Sequence, residues 1–197
     1  MKLENSVDMR KVVQDTWADL AHEIRRTPLP HYNESVFRFM FVRSLLSRYP
    51  DVRCETEWKR MDLVFFDISG PTVVEFKFYI HNAHRDFLGR ERYFKGGAGE
   101  KNFGEFCSCV AKLAQLDTHK WGRDHGAAIK NRYLLLAYAD AKEMKGTRTY
   151  GHWYRRLKLP VSIAEQAHVT RVGRTGITIC PATQHRLRSL LFRVTPK

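Results

Sequence analysis

Two acidic residues and a lysine interrupt two apolar segments that are joined by a short turn. The segment 60–66 carries Asp62, and the segment 73–79 carries Glu75 and Lys77. Carboxylates and an ammonium are costly to bury in a sheet unless they are paired with each other or hold a metal ion. A lysine beside two acids also leaves a residual negative charge, which a hard divalent cation would offset.

The turn and the alternation of a strand are expected to bring these groups together. Residues 69–71, Ser-Gly-Pro, predict a tight turn, so the two segments form a β-hairpin. Alternation puts Glu75 and Lys77 on one face of their strand. The stretch from Asp62 to Glu75 has about the length of one strand, a turn and half of the returning strand. We therefore expect the charged atoms of the three residues to lie about 4 to 7 Å apart.

The hairpin resembles the signature of the PD-(D/E)XK nuclease superfamily, which has the restriction-endonuclease-like fold. That signature would read here as Asp62 and then Glu75-Phe76-Lys77. The resemblance implies that Asp62 and Glu75 bind Mg²⁺, for which Mn²⁺ can substitute, and that the Phe76 carbonyl joins them as a ligand. It also implies that Lys77 orients or helps to deprotonate the attacking water.

The resemblance covers roughly residues 31–140. Met61 stands where the family name has a proline, but that proline is not a ligand. An E-x-K tripeptide alone occurs by chance in many proteins, so the specificity comes from the apolar strand, the strand with Asp62 and a helix before both. The implied fold class is α/β with a restriction-endonuclease-like core, in which helices flank a central mixed β-sheet. A β-meander, a crossover helix and one further strand would form that sheet.

The helix before the hairpin adds a third carboxylate. Asn33 predicts the N-cap of a helix that runs to about Ser47 and is stopped by Pro50. Glu34 falls on the apolar stripe of this helix, which contains Phe37, Phe41 and Leu45. An N-terminal-helix glutamate is also frequent in the family's metal site, so Glu34 is a further candidate ligand. The alternative is a first-turn glutamate favoured by the helix dipole. For the hairpin acids the alternative is a structural ion pair.

The remaining periodicity predicts the order α, α, β, β, β, α, β. The other elements are a first helix within residues 5–26, a strand at 53–58, a crossover helix of about sixteen residues from Phe103, and a strand at 132–139. Residues 81–102 show neither the apolar period of a helix nor that of a strand, so we expect a long surface loop. Short strands are expected at 176–180 and 187–194, although a helix fits the latter as well. We expect one domain over 1–197, with a core of about 31–140 and with 5–26 and 141–197 as appendages.

The charge balance indicates a polyanionic partner. Lys and Arg number 34 against 21 acids, for a net charge of +13 and a pI near 9.8. Nucleic acid is the expected partner, with DNA favoured over RNA. The candidate phosphate-binding residues are Arg85, Arg90, Arg92, Lys95, Lys101, Lys112, Arg155 and Arg156. For Lys112 two further explanations stay open, since the resemblance places a lysine or glutamine of the crossover helix near the metal site and a solvated helix face explains it equally.

Cysteine spacing and hydropathy complete the expectations. The four cysteines lack the spacing of zinc sites and the density of a secreted scaffold, and the N-terminal residues lack a signal peptide. We expect a reduced cytoplasmic protein without a membrane partner. The resulting hypothesis is a metal-dependent endonuclease that hydrolyses phosphodiester bonds, and a homodimer would suit paired-strand cutting. The alternatives are a non-catalytic nucleic-acid-binding module and an interaction protein that meets an acidic protein or a membrane.

Overall fold

A computed structural model describes residues 6–24, 32–58, 60–79, 83–85, 91–93, 100–116, 128–140, 157, 159–180 and 185–197. The elements, in chain order, are α1 (Met9–Ile24), α2 (Glu34–Arg48), β1 (Arg53–Trp58), β2 (Met61–Asp67), β3 (Gly70–Tyr79), β4 (Ala83–Arg85), β5 (Glu91–Tyr93), α3 (Glu100–Ala114), β6 (Asn131–Asp140), α4 (Val161–Ala164), β7 (Ala167–Cys180) and β8 (His185–Pro196). No helix within these ranges is long and apolar enough to cross a membrane.

One mixed sheet of six strands organises the described chain, which confirms the predicted α/β class. Its strand order is β1-β2-β3-β6-β8-β7. Only the β3–β6 pair is parallel among these neighbours, and the other four pairs are antiparallel. The predicted meander of β1, β2 and β3 is therefore followed, as expected, by the crossover helix α3 and the strand β6.

Helices cover both faces of the sheet. Apolar residues of α1 and α2 pack on one face, hereafter the α1 face, together with Leu63, Phe65 and Phe76. Apolar residues of α3 pack on the other, the α3 face, together with Val64 and Val73. Because neighbouring residues of a strand point to opposite faces, each strand carries core residues on both sides, as expected for a sheet covered twice.

The predicted N-cap of α2 is confirmed. Asn33 is extended, and its side chain accepts a hydrogen bond of 2.9 Å from the Val36 N–H. This cap fixes the rotation of the helix, so that Phe37 and Phe41 meet the Phe76 ring edge-on at centroid distances of 6.0 and 5.2 Å. The same rotation directs Glu34 and Arg38, one turn apart, toward β2 and β3.

The sequence misjudged the segment around the start of α3. Instead of a loop over 81–102, the short strands β4 and β5 pair antiparallel, with His84 opposite Arg92. α3 begins at Glu100, three residues before the expected start, and ends at Ala114, about four residues before the expected end. Strands of three residues are too short to show an alternation, and the apolar pattern of a helix marks its buried face but not its polar first turn.

The C-terminal strands are longer than expected. β7 has 14 residues and β8 has 12, so the predicted stretches 176–180 and 187–194 are parts of these strands. A strand, and not a helix, therefore occupies 187–194. Register shifts interrupt the pairing of β7, which breaks the alternation that a sequence pattern would reveal. Both regions expected as appendages contribute to the sheet or its core.

Two glycines, one with positive φ and one within a helix, provide a matched test of the assigned backbone conformations. Gly70, at the start of β3, has φ +109°, and an added Cβ would lie 2.9 Å from Lys130 Cγ. Gly104 lies within α3, where an added Cβ meets nothing within 4 Å. We expect Gly70→Ala to destabilise the protein by about 1 kcal/mol or more and Gly104→Ala to stabilise it by about 0.5–1 kcal/mol. Urea unfolding would measure both, and equal shifts would contradict the assigned backbone conformations.

Candidate active site between two strands

Two carboxylates replace the backbone pairing of β2 with β3. The paired residues of this hairpin end at Leu63 and Val74. Beyond them, Asp62 Oδ2 accepts a hydrogen bond of 2.7 Å from the Phe76 N–H, and the Asp62 N–H donates to Glu75 Oε1 at 3.3 Å. Side chains thus satisfy backbone groups that a continued ladder would have paired. The strands open here, and the predicted convergence of Asp62 and Glu75 lies at this opening.

The direction of the Phe76 backbone supports the expected role of its carbonyl. In a β-strand the N–H and C=O of one residue point toward the same neighbouring strand. The Phe76 N–H points to Asp62 on β2. Its carbonyl is therefore directed toward the same side as the opening.

Three ion pairs fill the opening, and they come from both helix layers. Their members are Glu75 with Lys112 of α3 at 2.7 Å, Glu34 of α2 with Lys77 at 3.3 Å, and Asp62 with Arg38 of α2 at 3.3 Å. Lys112 also donates to the Arg60 carbonyl, and Arg38 also pairs with Glu57. The opening therefore joins α2, β2, β3 and α3 through charged side chains.

The charge of this cluster differs from the sequence-based expectation. Asp62, Glu75 and Lys77 alone would leave a residual negative charge, but Arg38 and Lys112 supply the missing cations. Within the described ranges, no group of three or more His, Cys, Asp or Glu side chains is placed to hold a metal ion. An excess of negative charge in this cluster therefore does not call for a metal ion. What favours a metal ion is the oxygen chemistry of the donor groups and their burial.

Burial disfavours the charged forms of two of the acids. Glu75 is 2% exposed. Its pKa is raised, mainly by burial and further by Asp62, although Lys112 acts in the opposite direction. Burial also raises the pKa of Glu34, with Asp62 adding to the effect and Lys77 opposing it. Ionisation of either carboxylate thus carries a desolvation penalty that an added cation would reduce.

Lys77 is held in its charged form. Burial by itself would lower its pKa, but Cys109, Glu34 and Asp62 together outweigh it and raise the pKa above the ordinary value. The adjacent Cys109 is neutral at pH 7, because burial raises the pKa of its thiol to about 12. At neutral pH the neighbours that favour the ammonium are therefore the carboxylates. The sequence left these opposing effects undecided, and the structure favours the ammonium form.

Arg38 and Lys112 are the site residues that sequence reasoning missed or left open. Arg38 follows Glu34 by one helical turn, so its spacing alone placed it on the same side of α2. For Lys112 a phosphate-binding role, a solvated helix face and a place near the site were all left open, and its ammonium contacts Glu75. A left-handed backbone at Glu57 and Arg60 turns the β1–β2 hairpin tightly and presents the Arg60 carbonyl to Lys112.

The other predicted phosphate-binding residues are spread over the chain. Lys101 is exposed in the first turn of α3. Arg85 and Arg92 belong to β4 and β5. The remaining candidates, Arg90, Lys95, Arg155 and Arg156, lie outside the described residues.

Comparisons with known proteins were made on three levels. The chain matches no family model, no curated protein and no solved structure. The interpretation of the site therefore depends on its own geometry.

The raised pKa of Glu75 predicts a pH-dependent effect of its neutral isostere in metal-free protein. The unfolded carboxyl titrates near 4.5, whereas the folded one titrates higher, so unfolding releases a proton between these values. The protein with Glu75 therefore loses stability relative to Glu75→Gln as pH rises above about 4.5. We expect the variant to be equally stable at pH 4 and more stable at pH 8.

Urea unfolding in EDTA at the two pH values measures this difference. Lys112 stays partly hydrated in the variant, because its side chain is 34% exposed. A loss of stability at pH 8 would instead assign Glu75 to a structural ion pair.

Proposed function

We propose that the protein is a divalent-metal-dependent endonuclease that hydrolyses phosphodiester bonds on a restriction-endonuclease-like core of the PD-(D/E)XK type. The observation that carries this proposal is the meeting of Glu34, Asp62, Glu75 and Lys77 at the opening between β2 and β3. The succession of α2, the β1–β3 meander, α3 and a parallel β6 is the arrangement that the sequence resemblance implies.

The donor groups suit Mg²⁺, or Mn²⁺ in its place. Asp62, Glu75, Glu34 and the Phe76 carbonyl would supply hard oxygen ligands only. Burial raises the pKa of Glu75 and Glu34, so a cation at the opening would relieve a cost that both now carry. When bound, such an ion would stabilise added negative charge on phosphate and favour ionisation of water near neutral pH.

Lys77 acts in this proposal as a donor. Its pKa is raised, so it remains an ammonium at neutral pH and does not serve as the general base. It would orient the attacking water and stabilise the charge that develops on the phosphate oxygens. Glu34 holds the ammonium at 3.3 Å and thereby limits its positions.

Arg38 and Lys112 occupy carboxylate oxygens that the ion would also use. Lys112 contacts Glu75, and Arg38 contacts Asp62. Binding of a cation by these acids therefore competes with both ion pairs. The exposed part of the Lys112 side chain, 34%, allows this lysine to move its charge toward solvent or toward a phosphate.

The net charge of +13 supports a nucleic-acid substrate. We propose DNA rather than RNA as the substrate and the cytoplasm as the compartment. A homodimer is the assembly that would allow both strands to be cut. A second candidate function is a non-catalytic nucleic-acid-binding module on the same fold. The balanced charge of the cluster favours this candidate, because three paired carboxylates can serve folding without a metal.

Chelation and one substitution separate the two functions. We expect cleavage of DNA in Mg²⁺ or Mn²⁺ and none in EDTA. Lys77→Ala should lower the single-turnover rate by several orders of magnitude and leave affinity nearly unchanged, because one of 34 basic residues contributes little to binding.

Lys11→Ala is the matched control, since Lys11 is an exposed lysine of α1. It should leave the rate unchanged. Cleavage that persists in EDTA would reject the metal-dependent mechanism. Binding in EDTA with no cleavage under any metal would favour the binding module, and so would unfolding of the Lys77→Ala protein.

Competition between Lys112 and a cation predicts a gain of metal affinity. Lys112→Ala removes the competing ammonium from Glu75 Oε1, which keeps only its hydrogen bond from the Asp62 N–H, so we expect Mn²⁺ to bind severalfold more tightly than in the unsubstituted protein. Isothermal titration or Mn²⁺ electron paramagnetic resonance measures this without reference to activity. Lys101→Ala, in the same helix, should have no effect. An unchanged affinity in the Lys112→Ala protein would remove Glu75 from the proposed ligand set.

A further inference from the structure

The C-terminal strands carry basic residues and no acidic ones. None of the 21 acidic residues lies beyond Glu165, whereas six Lys and Arg residues do. β7 is the edge of the described six-stranded sheet, at the far side from β1. Its Arg171 and Arg174 side chains are exposed.

A β-bulge places these two arginines on one face. Residues three apart in a regular strand point to opposite faces. The register shifts between Arg171 and Gly173, so that Arg171 lies opposite Phe192, Gly173 opposite Leu191 and Arg174 opposite Leu190. Phe192 and Leu190 belong to the α3 face, and Leu191 belongs to the α1 face. The extra residue thus turns both arginines to the α3 face.

The glycine of the bulge supports this orientation. A Cβ at Gly173 would lie 3.4 Å from the Leu191 Cβ and 3.8 Å from the Arg10 Cγ of α1. Gly173 therefore points to the α1 face, where α1 packs closely against β7. Arg171 and Arg174, on either side of it, point away from that helix.

The arginines are in register with the proposed catalytic residues. One row across the sheet runs Glu75, Leu134, Phe192, Arg171, and the next runs Lys77, Leu136, Leu190, Arg174. Residues of one row share a face of the sheet. β7 is three strands from β3, which corresponds to about 14 Å. The opening between β2 and β3 and the arginine pair therefore lie on the same side of the sheet.

Helix α3 lies between the opening and the arginine pair, and two of its outward residues have small side chains. Phe106 of α3 packs on Phe192 at a centroid distance of 5.2 Å, so the helix covers the middle of these rows. Its outward residues include Gly104, where an added Cβ would meet nothing within 4 Å, and the exposed Ser108. The acid on this side, Glu105, accepts a hydrogen bond from the Tyr79 hydroxyl.

We propose that Arg171 and Arg174 form a second contact site for the phosphodiester backbone of the nucleic acid that reaches the opening between β2 and β3. The inference extends the proposed function and rests on it. Charged side chains also protect an edge strand from pairing with other chains. That protection does not require two arginines on one face, in register with Glu75 and Lys77, and the bulge provides both features.

The test compares the binding of a DNA duplex of about 20 base pairs and an RNA duplex of the same sequence in EDTA over a range of salt concentrations. Arg171→Ala/Arg174→Ala should flatten the plot of log affinity against log salt by about 1.8 for the DNA duplex, or about 0.9 for each lost phosphate contact. Affinity at about 0.1 M salt should fall roughly ten- to a hundredfold. Arg171→Lys/Arg174→Lys keeps the charges and should retain most of the binding.

The matched control removes two cations from the α1 side, Lys11→Ala/Arg193→Ala. Arg193 lies on β8 opposite Thr170, exposed and on the other face from Arg171. The loss of binding affinity in this control should be at most half of the loss in the Arg171→Ala/Arg174→Ala variant. With Mg²⁺, the arginine variants should cut at an unchanged rate once saturated.

The outcomes separate the two levels of the proposal. If neither duplex binds the unsubstituted protein at low salt, the proposed function and this inference both fail. If a duplex binds and the Arg171/Arg174 variant keeps the same affinity and salt slope, only the inference fails. Self-association of the alanine variant in light scattering, with unchanged binding by its monomer, would assign the arginines to edge protection and overturn the inference as well.

Discussion

The hydrogen bond from the Phe76 N–H to Asp62 determines how the rest of the site is built. At 2.7 Å, it gives β3 a side-chain partner where a backbone carbonyl of β2 would otherwise stand. The two strands can then separate without leaving a buried amide unpaired, which would cost about 1–3 kcal/mol. The separation opens the sheet to both helix layers. Glu34 and Arg38 reach it from α2, and Lys112 reaches it from α3.

Charge matching makes this opening tolerable in a folded protein. Each carboxylate has a cation from another element, so the cluster ties α2 and α3 to the hairpin while it neutralises itself. Removal of Lys112 would leave the buried Glu75 carboxylate without its cation, which costs about 3–5 kcal/mol for a buried pair, whereas removal of the Glu75 charge leaves a partly exposed Lys112 that water can hydrate. The pKa of Glu75 is raised, mainly by burial, so its pairing with Lys112 does not fully offset the desolvation of the carboxylate.

The sequence predicted those features that depend on local periodicity. Alternation placed Glu75 and Lys77 on one face, and the Asn33 cap fixed the start of α2, so Glu34 was found on its apolar side. Periodicity does not show which long side chain crosses a gap between elements. Arg38 was therefore not recognised as a partner of the acids, and the place of Lys112 was left open between several alternatives. A bulge also breaks the period, so the length of β7 and the shared face of its arginines became visible only through the strand register.

The protonation of Lys77 limits what the cluster can do chemically. As a permanent ammonium between Glu34 and Asp62, it can donate hydrogen bonds and stabilise negative charge, but it cannot take a proton from water. In hydrolysis that proton would have to pass to solvent or to a carboxylate. Glu34 contacts Lys77, and burial raises its pKa, so it is a better proton acceptor than an ordinary surface glutamate. The same ion pair thus keeps the lysine charged and places a basic carboxylate next to it.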